Sequence, residues 1–145
     1  MGRNIFECDF EMAALSTMTE AGKIEYVKQE LAKDYRATAW GNENEPEARE
    51  AYRLKTGYDV RETGFMVNPH CVFHGGSFDG EVLENGERVG IIEIKCPYNP
   101  VIHAQNANLK RTGLSASHAY YPQIQSNIEV AGIQWCDFVS FDPRQ

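Results

Sequence analysis

Apolar residues recur at helical spacing in the first part of the chain. Within residues 12–33, Ile24, Val27 and Leu31 lie three and four positions apart, so they would share one face of a helix. The pattern therefore predicts a helix over 12–33, in a helical N-terminal region that covers residues 1–37.

A second helix is predicted after a short interruption. Residues 40–47 are mostly polar, which is typical of a loop, and Pro46 and Gly57 bracket the next periodic stretch. Proline is favoured in the first turn of a helix and glycine just after its last residue. The sequence therefore predicts a loop that leads into a helix over 45–56.

The hydrophobic period then changes to that of strands. Extended runs rich in branched and aromatic residues are separated by the turn residues Asn68 and Pro69 and by the segment 83–86. The predicted strands are 58–67, 71–82, 88–96 and 134–141, and a third helix is predicted over 118–130, after a polar loop at 98–117.

The order of these elements, ααβββαβ, predicts the fold class. Three successive strands joined by short turns form an antiparallel meander, and helices packed on such a sheet make an α/β (α+β) layer. Because the chain has 145 residues and no low-complexity linker, we expect residues 1–145 to form a single domain.

Composition and charge narrow the class of protein. The apolar fraction of 42% is that of an ordinary globular protein, and the net charge of −7 supplies no overall attraction to nucleic acid, so any DNA-binding surface must be local. The sequence contains neither a run of about 18 apolar residues nor a hydrophobic secretory start. We therefore expect a soluble, intracellular protein with no membrane partner.

The strongest candidate chemistry lies at residues 90–97. On a strand, alternate residues share a face, so Glu93 and Lys95 would stand together while Ile94 points into a core. The short turn before this strand would bring Asp79 beside Glu93. Converging carboxylates and a carbonyl suit Mg²⁺ or Mn²⁺. The alternative interpretation is a turn aspartate and an ordinary exposed ion pair on an edge strand.

Four motifs occur in order along the chain. They are Gly-Asn-Glu-Asn-Glu-Pro-Glu-Ala-Arg at 41–49, Gly-Ser-Phe-Asp-Gly at 76–80, Ile-Glu-Ile-Lys-Cys-Pro at 92–97 and Tyr-Tyr-Pro-Gln-Ile-Gln at 120–125. With these motifs the chain resembles the lambda exonuclease/YqaJ-type viral recombinase family, within the PD-(D/E)XK nuclease superfamily, over residues 38–144, although Phe78 stands where the family has proline. The resemblance implies a restriction-endonuclease-like core, with a central mixed sheet and an antiparallel three-strand meander flanked by helices.

The resemblance also implies a metal-binding set. Asp79 and Glu93 would ligate Mg²⁺ or Mn²⁺ with the backbone carbonyl of Ile94, and Glu45 would supply the family's helix carboxylate. The neighbouring carboxylates of Glu43 and Glu47 are less favoured alternatives to Glu45, and a solvated helix start that is favourable to the helix dipole explains them better.

The resemblance assigns roles to three further residues. Lys95 would orient the attacking water and stabilise charge in the transition state. Tyr120 and Gln123, three apart on the predicted third helix, would position water or the scissile phosphate, with Asn127 one turn further. Gln125 also matches the family but would point elsewhere. Without the resemblance, the polar side of an amphipathic helix would explain these residues.

The function implied is that of a metal-dependent deoxyribonuclease, in particular an exonuclease that trims duplex DNA ends in phage recombination. A single-strand annealing protein and further copies of the chain are the implied partners, and the cytoplasm of a bacterial host, with a phage or prophage gene, is the implied location. The alternative is a catalytically silent nuclease-fold module that binds DNA or a protein.

Two further groups of residues give weaker functional signals. His70, Cys71, His74 and Cys96 are zinc-compatible residue types, but their spacing matches no standard zinc motif, which favours turn and core positions. The two cations at 110–111 could follow a phosphate backbone or simply be solvated.

Overall fold

The computed structural model of the chain describes residues 18–107, 109 and 114–145. The chain divides into two compact units, Met1–Thr38 and Ala39–Gln145, and every candidate site residue belongs to the second. The single-domain expectation stays a prediction. The elements are α1 (Glu20–Thr56), β1 (Asp59–Arg61), β2 (Met66–Asn68), β3 (Cys71–Gly76), β4 (Gly80–Glu84), β5 (Glu87–Lys95), α2 (Pro100–Ala107), α3 (Tyr121–Ala131) and β6 (Cys136–Ser140).

The predicted loop at 40–47 is wrong, because this segment is part of α1. Pro46 lies inside the helix and has no N–H to donate to the carbonyl of Asn42. Because Asn42 is an exposed residue, water can bind this carbonyl instead. Asn42, Glu43 and Glu47 are exposed positions of a helix whose inner side buries Ala48 and Tyr52, and Asn44 and Glu45 are half-buried. Of the helix predicted over 12–33, residues 12–17 lie outside the described part of the chain.

A mixed four-stranded sheet in the order β1-β4-β5-β6 forms the centre of the second unit. Strands β1, β4 and β5 pair antiparallel, and β6 runs parallel to β5 with Lys95 opposite Ser140. This arrangement of a mixed sheet with helices confirms the predicted fold class. The predicted element order is wrong in detail, because the first two predicted helices form the single helix α1, two of the predicted strands are divided and one helix was not foreseen.

The first two predicted strands each split in two. Residues 58–67 contain β1 and the start of β2, while 71–82 contain β3 and the start of β4; β2 and β3 pair with each other in a separate hairpin. The chain leaves β3 at Ser77 because Phe78 turns inward and is 1% exposed, against Ile91 and Ala131. The bend places Asp79 at the head of β4.

The polar loop predicted at 98–117 is also partly wrong, because it contains α2. The Asn99 side chain accepts a hydrogen bond from the Val101 backbone N–H at 2.9 Å, which caps the helix, and Pro100 occupies its first position. Residues 110–111, the two candidate phosphate contacts, lie outside the described residues. The third predicted helix begins at Tyr121, so Tyr120 precedes it, and Gly132 in the left-handed conformation (φ 65°) ends it.

Apolar residues pack on both faces of the sheet. One cluster joins α1 to the sheet through Ala48, Tyr52, Val60, Val82, Ile92, Ile94 and Cys96, and the other joins α3 through Phe78, Ile91 and Ala131. Ile92 and Ile94 of β5 therefore point toward α1, and Glu93 and Lys95 point to the opposite face, which they share with Ile91. None of the helices in the described residues is long and apolar enough to cross a membrane.

Candidate active site

Asp79 extends the pairing of β4 with β5 by one residue before Gly80, the first residue of β4. Its backbone N–H donates to the Ile92 carbonyl at 3.1 Å, and its Oδ2 accepts a 2.6 Å hydrogen bond from the Ile94 backbone N–H. The carboxylate therefore replaces a backbone acceptor at the edge of the sheet. This anchors it beside the part of β5 that carries Glu93.

Glu93 is 1% exposed, yet both of its carboxylate oxygens have hydrogen-bond donors. Oε1 accepts from Lys95 Nζ at 2.6 Å and from Gln123 Nε2 at 2.7 Å, while Oε2 accepts from Asn127 Nδ2 at 3.1 Å. The Lys95 ammonium also lies 5.1 Å from the centre of the Tyr120 ring, within cation–π range. Strand β5 and helix α3 thus hold one buried carboxylate and one lysine in a fixed arrangement.

Glu45 reaches the same region from α1. Its Oε1 accepts a 2.5 Å hydrogen bond from Arg49 Nη2, and Arg49 Nε donates to the backbone carbonyl of Asp79 at 3.0 Å. The alternatives Glu43 and Glu47 are exposed positions in the middle of α1, so the idea that they mark a helix start is wrong. The geometry favours Glu45 as the helix carboxylate.

Burial raises the pKa of two carboxyl groups in the site. Burial, followed by the charge of Asp79, raises the pKa of Glu45 above its ordinary value. Burial also raises the pKa of Glu93, with a smaller contribution from Asp79 against the opposing Lys95 hydrogen bond. For Lys95, burial acts to lower the pKa, but the Glu93 carboxylate outweighs it and raises the pKa overall, so the ammonium is the stable form.

This donor set fits a hard divalent cation. Carboxylates that are partly desolvated and repel one another are stabilised by a cation, and Mg²⁺ commonly binds to one or two carboxylates while keeping several waters. In the part of the chain that the structure describes, no three acidic, histidine or cysteine side chains group tightly enough to enclose a metal unaided. A cation here would therefore complete its shell with water or substrate oxygens.

The structure brings together the six predicted site side chains of Glu45, Asp79, Glu93, Lys95, Tyr120 and Gln123. The backbone carbonyl of Ile94 stays a predicted ligand, while its N–H binds Asp79. Gln125 is exposed. Arg49 is a supporting residue of the site for which no role was predicted, although residues four apart on a helix lie side by side and Arg49 follows Glu45 at that spacing.

The zinc-compatible residues have other surroundings. His74 Nε2 lies 2.7 Å from Ser126 Oγ and its Nδ1 lies 3.4 Å from Asn68 Nδ2, so the ring joins β3 to α3. Cys96 packs in the apolar cluster beneath α1, whereas Cys71 is exposed on the hairpin. The turn position of His70 and the core position of Cys96 agree with the turn and core interpretation, whereas Cys71 and His74 lie on strand β3.

Comparison with known proteins identifies the class. A family model described as the YqaJ-like viral recombinase domain matches residues 7–134, and the chain therefore belongs to this family. The match confirms the resemblance to lambda exonuclease and YqaJ-type recombinases that the motifs indicated.

Solved structures agree with this family. The chain is 34% identical to an alkaline exonuclease, LHK-Exo, from Laribacter hongkongensis, with a TM-score of 0.63 over 88% of this chain and 66% of that one. It is 33% identical to LHK-Exo in complex with dAMP, with a TM-score of 0.64 over 92% of this chain and 67% of the other. The chain thus spans about two thirds of their length. No curated protein sequence matched the chain significantly.

Proposed function

We propose that this protein is a divalent-metal-dependent deoxyribonuclease that trims the ends of duplex DNA in phage recombination. The convergence of Asp79, Glu93 and Lys95 at one end of β5, with Glu45 arriving from α1, is the observation that carries the proposal. Membership of the YqaJ-like family and similarity to an alkaline exonuclease support it.

In this proposal, Asp79, Glu93, the Ile94 carbonyl and Glu45 hold Mg²⁺ or Mn²⁺. When bound, the metal supplies Lewis-acid polarisation of the phosphate and lowers the pKa of bound water. Glu45 and Asp79 have their positions set by Arg49, and Glu93 by its amide donors. The site is therefore organised by the protein before a cation arrives.

Lys95 and Gln123 act on the reacting groups. The Lys95 ammonium donates to the attacking water or to a phosphate oxygen, since it remains protonated beside Glu93. Gln123 donates its Nε2 to Glu93, which leaves its amide oxygen as an acceptor that can orient water. Tyr120 presents its ring to the ammonium and limits where that charge can move. Water then attacks phosphorus as the bond to the leaving oxygen breaks; the attacking water gives one proton to solvent, and the leaving oxygen takes one up from solvent.

Cleavage assays test the activity. We expect the protein to degrade linear 5′-phosphorylated duplex DNA in Mg²⁺ and not in EDTA, to spare closed circular plasmid, and to lose activity in Lys95→Ala. Lys55→Ala is the matched control, because Lys55 is exposed in the last turn of α1. If the folded protein cleaves neither substrate, the enzyme proposal is overturned and a DNA- or protein-binding module becomes the better account.

Metal titration tests the cofactor separately. We expect Mn²⁺ to bind in the absence of DNA and to be lost in Asp79→Ala, while Asp59→Ala binds normally because Asp59 pairs with Arg53. Equal binding by the two variants would contradict the assigned ligands. A single-strand annealing partner, self-association and a cytoplasmic location stay predictions of the family resemblance.

A further inference from the structure

One arginine joins two of the groups assigned to the metal. The guanidinium of Arg49 donates from Nε to the Asp79 backbone carbonyl at 3.0 Å and from Nη2 to Glu45 Oε1 at 2.5 Å. Its remaining nitrogen lies 3.7 Å from Glu62, whose side chain is 75% exposed. A single side chain therefore links helix α1 to the residue that precedes β4.

The hydrogen bonds of Arg49 leave one carboxylate oxygen of Glu45 and the whole Asp79 carboxylate free of contact with the guanidinium. Arg49 engages one oxygen of Glu45, so the second oxygen can accept another partner. It binds the main chain of Asp79, while the Asp79 carboxylate is oriented separately by the Ile94 N–H. A planar fork of donors can hold both acceptors at once, whereas the ammonium of lysine is a single compact point charge.

Burial argues against a direct role of Arg49 in binding DNA. Its side chain is 13% exposed and two of its nitrogens are hydrogen-bonded within the protein. The nearby Arg53, one turn further along α1, differs in both respects: its side chain is 46% exposed and pairs with Glu50 and Asp59. The two arginines therefore form a natural test pair.

We propose that Arg49 is a positioning residue that fixes the separation of the Glu45 and Asp79 carboxylates and offsets their repulsion until a divalent cation binds. This inference rests on the proposed function, because it assumes that both carboxylates serve the metal. Residues that orient metal ligands typically change metal affinity by about 10- to 100-fold when replaced. We expect an effect of that size on Mn²⁺ binding.

The experiment compares Arg49→Lys and Arg49→Ala with Arg53→Lys and Arg53→Ala. The first readout is the Kd for Mn²⁺ without DNA, from the electron paramagnetic resonance signal of the unbound ion. The second is the Mg²⁺ concentration that gives half-maximal cleavage of linear duplex DNA. The third is rescue of Arg49→Ala by millimolar methylguanidinium, which can restore the missing donors. Circular dichroism and thermal unfolding show which variants are folded.

We expect both Arg49 variants to bind Mn²⁺ at least about tenfold more weakly and to require correspondingly more Mg²⁺, with partial rescue of Arg49→Ala and no change in either Arg53 variant. If Arg49→Ala does not fold, the comparison of the two lysine variants decides. If Arg49→Lys folds and binds Mn²⁺ normally, the positioning role of Arg49 is overturned, whereas the proposed function is not. If the unaltered protein binds no Mn²⁺, the proposed function fails and the assignment fails with it.

Discussion

Glu93 shows how one buried charge is made tolerable. A carboxylate that is 1% exposed would be costly to ionise without partners. Strand alternation supplies Lys95 from β5, and helical spacing supplies Gln123 and Asn127 from α3. The same donors that stabilise the charge also fix its direction. Stability and site geometry are thus provided by the same hydrogen bonds.

Asn127 gives a prediction at this scale. Its Nδ2 donates to Glu93 Oε2 and, at 3.4 Å, to the Ser77 carbonyl, and the residue is 3% exposed. Asn127→Ala leaves a buried carboxylate oxygen without its donor, so we expect a stability loss of about 1–3 kcal/mol in urea unfolding. We also expect the cleavage rate to fall about tenfold, which corresponds to a loss of about 1.4 kcal/mol of transition-state stabilisation. Gln125→Ala, on an exposed position of the same helix, should match the unaltered protein.

Lys95→Arg is a stricter test of the lysine. The ammonium occupies a narrow place between Glu93 and the Tyr120 ring, and a planar guanidinium cannot reproduce its point charge there. We expect kcat at least about 100-fold below that of the unaltered protein, the usual cost of removing one preorganised donor. Activity within threefold of normal would show that any cation suffices.

At the scale of elements, the site is formed by the end of strand β5 together with helix α1 on one face of the sheet and helix α3 on the other. Helix α1 buries Ala48 and Tyr52 against one face and joins β6 through the 2.7 Å hydrogen bond from the Tyr52 hydroxyl to Asp137. Helix α3 covers the other face and carries the amide donors. The site lies where β5 ends, because side chains from both helices reach that edge.

Two glycines predict opposite stability effects. A Cβ at Gly90 on β5 would overlap the Trp135 ring, so Gly90→Ala forces a rigid side chain to move and should cost about 1–3 kcal/mol. A Cβ at Gly41, inside α1, meets nothing within 4 Å, so Gly41→Ala should stabilise by about 0.5–1 kcal/mol. Guanidinium chloride unfolding measures both. A destabilising Gly41→Ala would contradict the continuous helix.

At the scale of the second unit, the segment after β6 is joined to the loop after β5 and to α1. Asp142 is 4% exposed and receives hydrogen bonds of 2.7 and 2.8 Å from Arg144. Arg144 also donates to the Tyr98 carbonyl at 3.2 Å and lies 4.8 Å from the centre of the Trp40 ring. These contacts couple three parts of the chain that are distant in sequence.

This coupling predicts a pH dependence of stability. The Arg144 hydrogen bonds lower the pKa of Asp142 from 3.8 to about 2. A lowered pKa in the folded state contributes stability that is complete above the unfolded value and is lost as the pH falls toward 2. We expect Asp142→Asn to unfold at a lower temperature than the unaltered protein at pH 7, with a difference that shrinks between about pH 4 and pH 2. A difference independent of pH would contradict this account.

Local sequence patterns were sufficient to predict much of the sheet and part of the candidate site. The alternation along β5 correctly placed Ile94 in the core and paired Glu93 with Lys95, because side-chain direction on a strand depends only on the strand itself. Gly57 correctly marked the end of α1, with a φ of 77° that glycine adopts readily. The motifs identified the family because their order survives in the linear sequence.

Features that depend on distant contacts could not be read in the same way. Burial of Ala48 and Tyr52 stabilises α1 across the polar stretch at 40–47, and burial of Phe78 divides an apparently continuous strand. Arg49 meets the Asp79 carbonyl across 30 residues, and Asn127 meets Ser77 across 50. Such contacts have no local period, because their energy comes from the desolvated surroundings that folding creates. The helix, the bend and the supporting residues of the site were therefore settled by packing.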